Sequence, residues 1–126
     1  MRSSETEQNR FGVKPVNGKW KEFNKHGLLV AEGHYLNGEQ HGRWHEYYNT
    51  GELAIIQHYD NGQPHGSYTS FHCNGQVWSQ GNHVNGRCEG VFHVYNEEGN
   101  LVRLLFFNEG ILIEDRELNK ANTVSF

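Results

Sequence analysis

The sequence predicts an all-β protein, an elongated antiparallel β-meander of stacked hairpins that repeat every 24 residues. The main observation is that glycine and aromatic residues recur at this spacing in a single register. These series are Gly18, Gly42, Gly66, Gly90; Gly27, Gly51, Gly75, Gly99; Gly38, Gly62, Gly86, Gly110; Trp20, Trp44, Tyr68, Phe92; and Phe23, Tyr47, Phe71, Tyr95. A constant period of this length is typical of repeat arrays, in which each unit buries its apolar side chains against its neighbours.

The composition supports this fold class and excludes several others. Aromatic residues make up 13% of the 126 residues, whereas there is one Met and there are few Ala, so a helix-bundle core is not expected. No apolar run approaches the roughly 20 residues of a membrane helix. The net charge of -4 disfavours nucleic-acid binding. The first residues lack the apolar stretch of a secretory signal, and two cysteines are too few for a disulfide scaffold, so a cytoplasmic protein is expected.

Each 24-residue unit is predicted to be a β-hairpin. An Asn-Gly dipeptide follows an apolar run at 37–38, 61–62 and 85–86, and this dipeptide is a strong signal for a tight turn. Residues 49–51, 73–75 and 98–100 mark the turn at the opposite end, where glycine adopts positive φ without a steric penalty. The segments between the turns have about six to eight residues, which is an ordinary strand length.

Two irregularities are expected within these strands. Trp44 and Tyr47 are three residues apart, and strict alternation would place them on opposite faces, so a bulge or a strong twist is expected between them. Gly33 and Gly81 lie inside second strands, where glycine normally weakens a sheet. We expect them to leave room for a Trp or Tyr ring of a neighbouring strand.

The repeat register divides the chain into three parts. We expect residues 1–12 to form a polar, mobile N-terminal segment and residues 13–113 to form one domain of about four repeats plus a last strand. Residues 114–126 are expected to form a polar C-terminal tail or cap. The first and fourth copies depart from the pattern, as expected for repeats that cap an array.

The clearest copy carries a family resemblance. Residues 37–59 contain the pattern Asn-Gly-x-x-His-Gly-x-Trp-x-x-Tyr, then x-Gly-x-Leu and a closing Tyr, and 61–83 and 85–107 follow it more loosely. This pattern resembles the MORN-variant repeat (membrane occupation and recognition nexus) over roughly residues 15–113. The resemblance implies a twisted meander of stacked hairpins; bacterial members are antitoxin-like, and eukaryotic MORN proteins act in membrane association and as scaffolds. The structural repeat positions are Gly38, Gly42, Gly62, Gly66, Gly86, Gly90, Trp20, Trp44, Tyr68 and Phe92.

Little in the sequence indicates catalysis, a metal or a cofactor. Equivalent histidines lie one hairpin apart, roughly 9–10 Å, which is too far for two of them to share a zinc ion readily. Cys73 and Cys88 lie in opposite turns, roughly 26 Å apart, so a disulfide is not expected. His72 adjoins Cys73, but neighbouring strand residues point to opposite faces, which disfavours a Cys-His nucleophile. We predict no catalytic residue and no cofactor, with a hydrolase or metal enzyme as the third interpretation.

A partner-binding surface is predicted in the C-terminal half. Residues 97–117 hold six carboxylates and two arginines, and acids such as Glu97, Glu98 and Glu109 either protect a sheet edge or steer a basic partner. Apolar residues also occupy the strand phase opposite the periodic series, where an exposed face should be polar. They are Ile56, Trp78, Leu104 and Phe106. Either they bind a partner, with Trp78 and Phe106 as anchors, or the tail or a second layer covers them.

The leading interpretation is a non-catalytic protein–protein interaction module, an antitoxin or immunity-type inhibitor from a bacterium that binds a basic toxin or effector. The alternative is a peripheral membrane, phosphoinositide-binding or scaffolding MORN protein. Membrane binding requires a basic surface, and the lysine cluster at Lys14, Lys19, Lys21 and Lys25 is the available candidate.

Overall fold

The computed structural model describes residues 13–118; the predicted N-terminal segment 1–12 and positions 119–126 of the predicted tail lie outside the described residues. Between residues 13 and 118, nine strands form one antiparallel sheet in chain order, which confirms the predicted meander. The strands are β1 Gly18–Phe23, β2 Leu29–Leu36, β3 Glu39–Tyr47, β4 Leu53–Asp60, β5 Gln63–Phe71, β6 Val77–Val84, β7 Arg87–Tyr95, β8 Leu101–Asn108 and β9 Ile111–Glu117. The last strand is longer than predicted, because it continues through residues 114–117. In this part of the chain, no helix is long and apolar enough to cross a membrane.

Tight turns join each repeat to the next. In the turn between β4 and β5, Asn61 has a φ of 53° and Gly62 has a φ of 82°. Two successive residues with positive φ are typical of the type I′ turn, whose twist matches that of the flanking strands. The same pair of positive angles occurs at 37–38, 85–86 and 109–110. The Asn-Gly dipeptides therefore form the turns predicted for them.

Replacing the second turn residue should destabilise the fold. Gly62→Val puts a β-branched side chain at a φ of 82°, which such residues strongly disfavour. We expect the free energy of unfolding to fall by roughly 2 kcal/mol in urea denaturation. Gln63→Val is the matched control, because it adds the same side chain one residue later, in an exposed strand position. Equal midpoints for Gly62→Val and the wild type would contradict the turn geometry.

The tight turns also stack on one another along one end of the strands. The N–H groups of Gly38, Gly62, Gly86 and Gly110 donate to the carbonyl oxygens of Val16, Gln40, Pro64 and Cys88, respectively, at 2.7–3.0 Å. In three turns, a side chain of the preceding repeat accepts the neighbouring N–H, from Asn37 to Asn17, from Asn85 to His65 and from Glu109 to Glu89. Asn, His and Glu can alternate at this repeat position because each presents an acceptor atom.

The core is a row of rings on one face of the sheet, which we call the ladder face and which carries Trp20, Tyr35, Trp44 and Tyr59. Trp44 is only 2% exposed and contacts Tyr35 and Tyr59 edge-on, with centroid distances of 5.3 and 6.2 Å. Its indole N–H donates to the His34 carbonyl at 3.0 Å. A second row on the same face has the same edge-on contacts at 5.2–5.8 Å and consists of Tyr68, His83, Phe92 and Phe107.

Glycines inside two strands make room for these rings. A Cβ atom at Gly33 would lie 2.2 Å from Cδ2 of Trp44, and one at Gly81 would lie 2.3 Å from Cδ2 of Phe92. The prediction that these glycines accommodate a neighbouring ring is confirmed, although the second ring belongs to Phe92 and not to Trp or Tyr. No other atom could occupy this space without displacing the ring from the core.

β3 itself has no bulge between Trp44 and Tyr47, where one was expected. β3 pairs regularly with β4 from Gly42 to Glu46, so Trp44 lies on the ladder face and Tyr47 on the other face. There the Tyr47 hydroxyl donates to the Glu32 carboxylate at 2.6 Å, and burial together with Glu32 raises the pKa of Tyr47 to about 12. The pairing with the preceding strand skips one residue near the start of each even-numbered strand and one residue in β9. The skipped residues are Val30, Ala54, Trp78, Val102 and Ile113. β3, β5 and β7 are also irregular, because each places three residues opposite one residue of the preceding strand: 42–44 opposite Gly33, 65–67 opposite His58 and 90–92 opposite Gly81.

Candidate partner-binding surface

The bulge in β6 determines where Trp78 lies. Ser70 pairs with Ser79 and Phe71 pairs with Val77, so Trp78 of β6 has no pairing partner in β5. Its ring lines hollows on the ladder face together with Tyr68. The expectation that Trp78 shares a face with Ile56, Leu104 and Phe106 is wrong, because the bulge interrupts the alternation on which it depended.

Two adjoining hollows on the ladder face form one apolar groove around Trp78. They measure about 360 and 340 Å³, and both are bordered by Tyr68, Trp78 and Ser79. We call their combined lining the apolar groove. It consists of Tyr48, Ala54, Ile55, Tyr68, Ser70, Trp78, Ser79, His83, Cys88, Phe92, Val94, Leu105 and Phe107. Trp78 is 47% exposed, so a large aromatic surface stands at the centre of this groove.

His72 holds the Trp78 ring in place. The two rings stack with a centroid distance of 5.0 Å and an interplanar angle of 16°. The His72 side chain is itself fixed, because its Nε2 atom lies 2.8 Å from the carbonyl oxygen of Tyr95 in the next repeat. An exposed aromatic ring that is already oriented loses little conformational freedom when a partner covers it. Sequence reasoning treated His72 only as a neighbour of Cys73 and missed this role.

The repeat position of His72 could have indicated it. The equivalent residues in the terminal repeats are Asn24 and Asn96, whose side chains accept two N–H groups of their own turn. In the two central repeats, rings replace Asn, and the Tyr48 hydroxyl donates to the Phe71 carbonyl of the next repeat. The change from Asn to an aromatic ring therefore marks the turns that border the apolar groove.

The groove also contains a cysteine and a histidine that sequence reasoning did not pair. His83 and Cys88 face each other across β6 and β7, and Cys88 Sγ lies 3.6 Å from His83 Nε2. Burial raises the pKa of the Cys88 thiol and lowers the pKa of the His83 imidazole. Both shifts favour the neutral forms, whereas a nucleophilic cysteine requires the thiolate. The geometry therefore favours a packing role for this pair.

The opposite face holds the other predicted apolar residues. Ile56 pairs with His45 and Thr69, and Leu104 pairs with His93. Phe106 is half-buried, and the Arg116 guanidinium lies 5.0 Å from its ring centroid, a cation–π contact. Phe106 and Trp78 therefore lie on different faces, and the two predicted anchors do not form one surface.

The predicted steering acids also separate. Glu97 and Glu98 are exposed in the turn between β7 and β8, whereas Glu109 lies in the turn after β8. The eight residues of β8 separate these turns by about 26 Å. Glu97 and Glu98 lie at the same end of the strands as His72, whose ring supports Trp78, whereas Glu109 lies at the opposite end, two residues after the groove residue Phe107.

The part of the chain that the structure describes contains neither a metal-binding cluster nor a disulfide. No group of three or more His, Cys, Asp or Glu side chains there is placed to hold a metal ion. Cys73 and Cys88 are both free thiols, the first exposed and the second half-buried.

Two lysines of the predicted cluster, Lys19 and Lys21, lie in β1, and the other two, Lys14 and Lys25, lie before and after it. Lys19 and Lys21 of β1 line an open hollow of about 600 Å³ with His34, Arg43 and His45, on the face opposite the ladder. Glu32 also lines this hollow, so three cations face one carboxylate. Lys14 lines a different hollow, beside Tyr35 and Trp44.

Comparison with known families gives a match for the two central hairpins. Residues 40–61 and 64–85 match the family model of the MORN repeat variant. The first matched segment begins at the second residue of β3 and runs to the end of β4, and the second begins at the second residue of β5 and runs to the end of β6, so each match corresponds to one hairpin of the sheet. MORN repeats are in general interaction modules without enzymatic activity. No curated protein shows significant similarity to the chain.

Proposed function

We propose that this chain is a non-catalytic protein-binding module whose docking surface is the apolar groove around Trp78. The observation that carries the proposal is an exposed Trp78 ring, fixed by His72, at the centre of an aromatic surface that nothing among residues 13–118 covers. Aromatic anchors of this kind dominate the affinity of protein interfaces when a partner buries them.

The partner that fits this surface is a basic protein, and we propose an inhibitory role of the antitoxin or immunity type for the complex. The exposed carboxylates of Glu97 and Glu98 stand at the end of the strands where His72 supports Trp78. Carboxylates beside a docking surface accelerate the association of a positively charged partner. A gene for a toxin domain next to the gene of this protein would support the inhibitory role.

Truncating the anchor should weaken the complex through faster dissociation. We expect Trp78→Ala to lose roughly thirtyfold in affinity, mostly in the off-rate, because a central aromatic anchor contributes about 2 kcal/mol or more. Replacing Glu97 and Glu98 by Gln should slow association, and this effect should fade with salt because the Debye length is about 10 Å at 0.1 M. Surface plasmon resonance at two salt concentrations separates the two effects.

The partner for this measurement comes from quantitative affinity capture with the wild type, Trp78→Ala and Phe106→Ala. Phe106→Ala is the matched control, because it truncates an aromatic ring on the opposite face. Proteins lost with Trp78→Ala but retained with Phe106→Ala are the candidates. The reverse pattern would assign the docking surface to the opposite face and overturn the proposal.

A second candidate function rests on the open cationic hollow of the first two repeats. Lys19 and Lys21 of β1 and Arg43 of β3 line this hollow. Each basic residue near an anionic lipid surface contributes about 1 kcal/mol to binding. Sedimentation with phosphatidylserine vesicles that disappears in Arg43→Gln would favour this peripheral membrane role.

A further inference from the structure

The last strand presents an unpaired edge with exposed apolar residues. β9 pairs with β8 on one side, and no described strand pairs with its other side. All seven residues of β9 are exposed, including Ile111 at 67%, Leu112 at 47% and Ile113 at 64%. An edge strand with free backbone groups and apolar side chains is a template for pairing with another chain.

In the earlier repeats, the backbone groups equivalent to this edge form hydrogen bonds with the next repeat. The carbonyl groups of Val16, Gln40, Pro64 and Cys88 each accept the glycine N–H of the next tight turn. Leu112 is the next residue in this series, 24 positions after Cys88. Because the N–H and C=O of one strand residue point to the same side, both backbone groups of Leu112 point away from β8. Among residues 13–118 no further turn lies beside Leu112 to bind them.

The side chains of this edge do not suit a further turn of the same kind. Ile113 occupies the repeat position of Asn17, His65 and Glu89, whose side chains accept an N–H group of the next turn. An isoleucine side chain has no acceptor atom. Ile111 likewise stands where the earlier repeats have the polar residues Glu39, Gln63 and Arg87. The edge is therefore apolar where the interior repeats are polar.

We propose that the outer edge of β9 binds an extended, basic segment of a partner protein, which adds to the sheet as a tenth strand. Backbone hydrogen bonds provide affinity in this mode of recognition, and alternate side chains provide specificity. Apolar side chains of the segment cover Leu112 and the Phe107 ring, with which Leu112 pairs and which on its other side contacts Phe92. This inference rests on the proposed function only in that the occupant is a protein.

The charges of β9 and its turn select a basic occupant over a second copy of the chain. Arg103 binds the Asp115 carboxylate at 2.9 Å, and Arg116 binds Glu114 at 2.8 Å. Glu109 in the preceding turn and Glu117 at the end of the strand, 4.0 Å from Arg103, leave both ends of the edge acidic. Two such edges would repel each other, whereas lysine or arginine at both ends of an extended segment would be attracted.

The test uses a fluorescein-labelled nonapeptide, Lys-Thr-Phe-Lys-Val-Lys-Val-Thr-Lys, as the probe. Fluorescence anisotropy should show saturable binding to the wild type and none for the same peptide with Glu in place of Lys. Hydrogen exchange measured by NMR should show the Leu112 amide slowing by about tenfold or more when the probe is bound, because this N–H then donates to the new strand.

Leu112→Pro removes this donor while keeping the fold, because Pro64 occupies the equivalent position and pairs with Tyr59 as Leu112 pairs with Phe107. We expect it to weaken probe binding by about tenfold more than Leu112→Ala, which retains the N–H. Circular dichroism and thermal melting verify that both variants are folded. Equal binding by the two variants would overturn the proposal.

Trp78→Ala distinguishes this edge from the apolar groove. Unchanged probe binding in Trp78→Ala, together with protection of the Leu112 amide, supports the edge site. A probe that binds through Trp78 and leaves the Leu112 amide unprotected overturns the edge proposal and leaves the proposed function intact. Absence of any binding by the basic probe also overturns the edge proposal, and the affinity-capture experiment still tests the groove.

Discussion

Gly33→Ala should lower the free energy of unfolding by about 3 kcal/mol, at the upper end of what an extra methyl group costs in a packed core. The new Cβ atom would lie 2.2 Å from Cδ2 and 2.5 Å from Cγ of Trp44, at the root of the ring and not at a flexible tip. The indole cannot move aside easily, because it contacts Tyr35 and Tyr59 and donates to the His34 carbonyl. Urea denaturation should show a lower midpoint with an unchanged slope.

A double-mutant cycle tests whether the ring is the cause. In a Trp44→Leu background, the space above Gly33 is larger, so adding Gly33→Ala should cost about 1 kcal/mol or less. The difference between the two backgrounds is the coupling energy between the methyl group and the ring. Equal costs in both backgrounds would mean that the effect of Gly33→Ala arises from the backbone and not from the contact with Trp44.

The fold was predictable from the sequence because each repeat has the same types of residue at its turns and core positions. The Asn-Gly turns, the glycines with positive φ and the aromatic period each require a specific backbone geometry, and they agree with one another. Gly33 and Gly81 were also interpretable, since a glycine inside a strand needs a packing reason. The equivalent positions in the other two repeats carry Gln57 and Leu105, so glycine stands here in alternate repeats only.

The candidate site was less predictable, because the face on which its side chains lie depends on the positions of the β-bulges. Alternation counted along β6 places Trp78 with Phe106, and one skipped residue between Val77 and Ser79 reverses that assignment. Nothing in the local sequence distinguishes a bulge near the start of β4 or β6 from one between Trp44 and Tyr47 in β3. The stacking of His72 on Trp78 depends on the same slip, so sequence reasoning could identify Trp78 as exposed but could not identify what holds it.

Trp44→Ala should destabilise the fold far more than Trp78→Ala, which removes the same side chain from an exposed site. Removing a buried tryptophan side chain costs about 4 kcal/mol, because the transfer energy is lost and a cavity remains. Trp44 is 2% exposed and stands between two rings of the ladder, so neither neighbour can fill the space without leaving its own contact. The described residues form a single sheet, so they contain no second layer that could collapse onto the vacant position.

Trp78→Ala is the matched comparison, since it removes the same side chain from a site that is 47% exposed. We expect a loss of roughly 1 kcal/mol or less, because the ring packs mainly on His72 and solvent already covers much of it. Urea denaturation of both variants measures the two losses under one condition. A loss for Trp78→Ala as large as that for Trp44→Ala would mean that Trp78 belongs to the core, and its exposed surface would then no longer support a docking role.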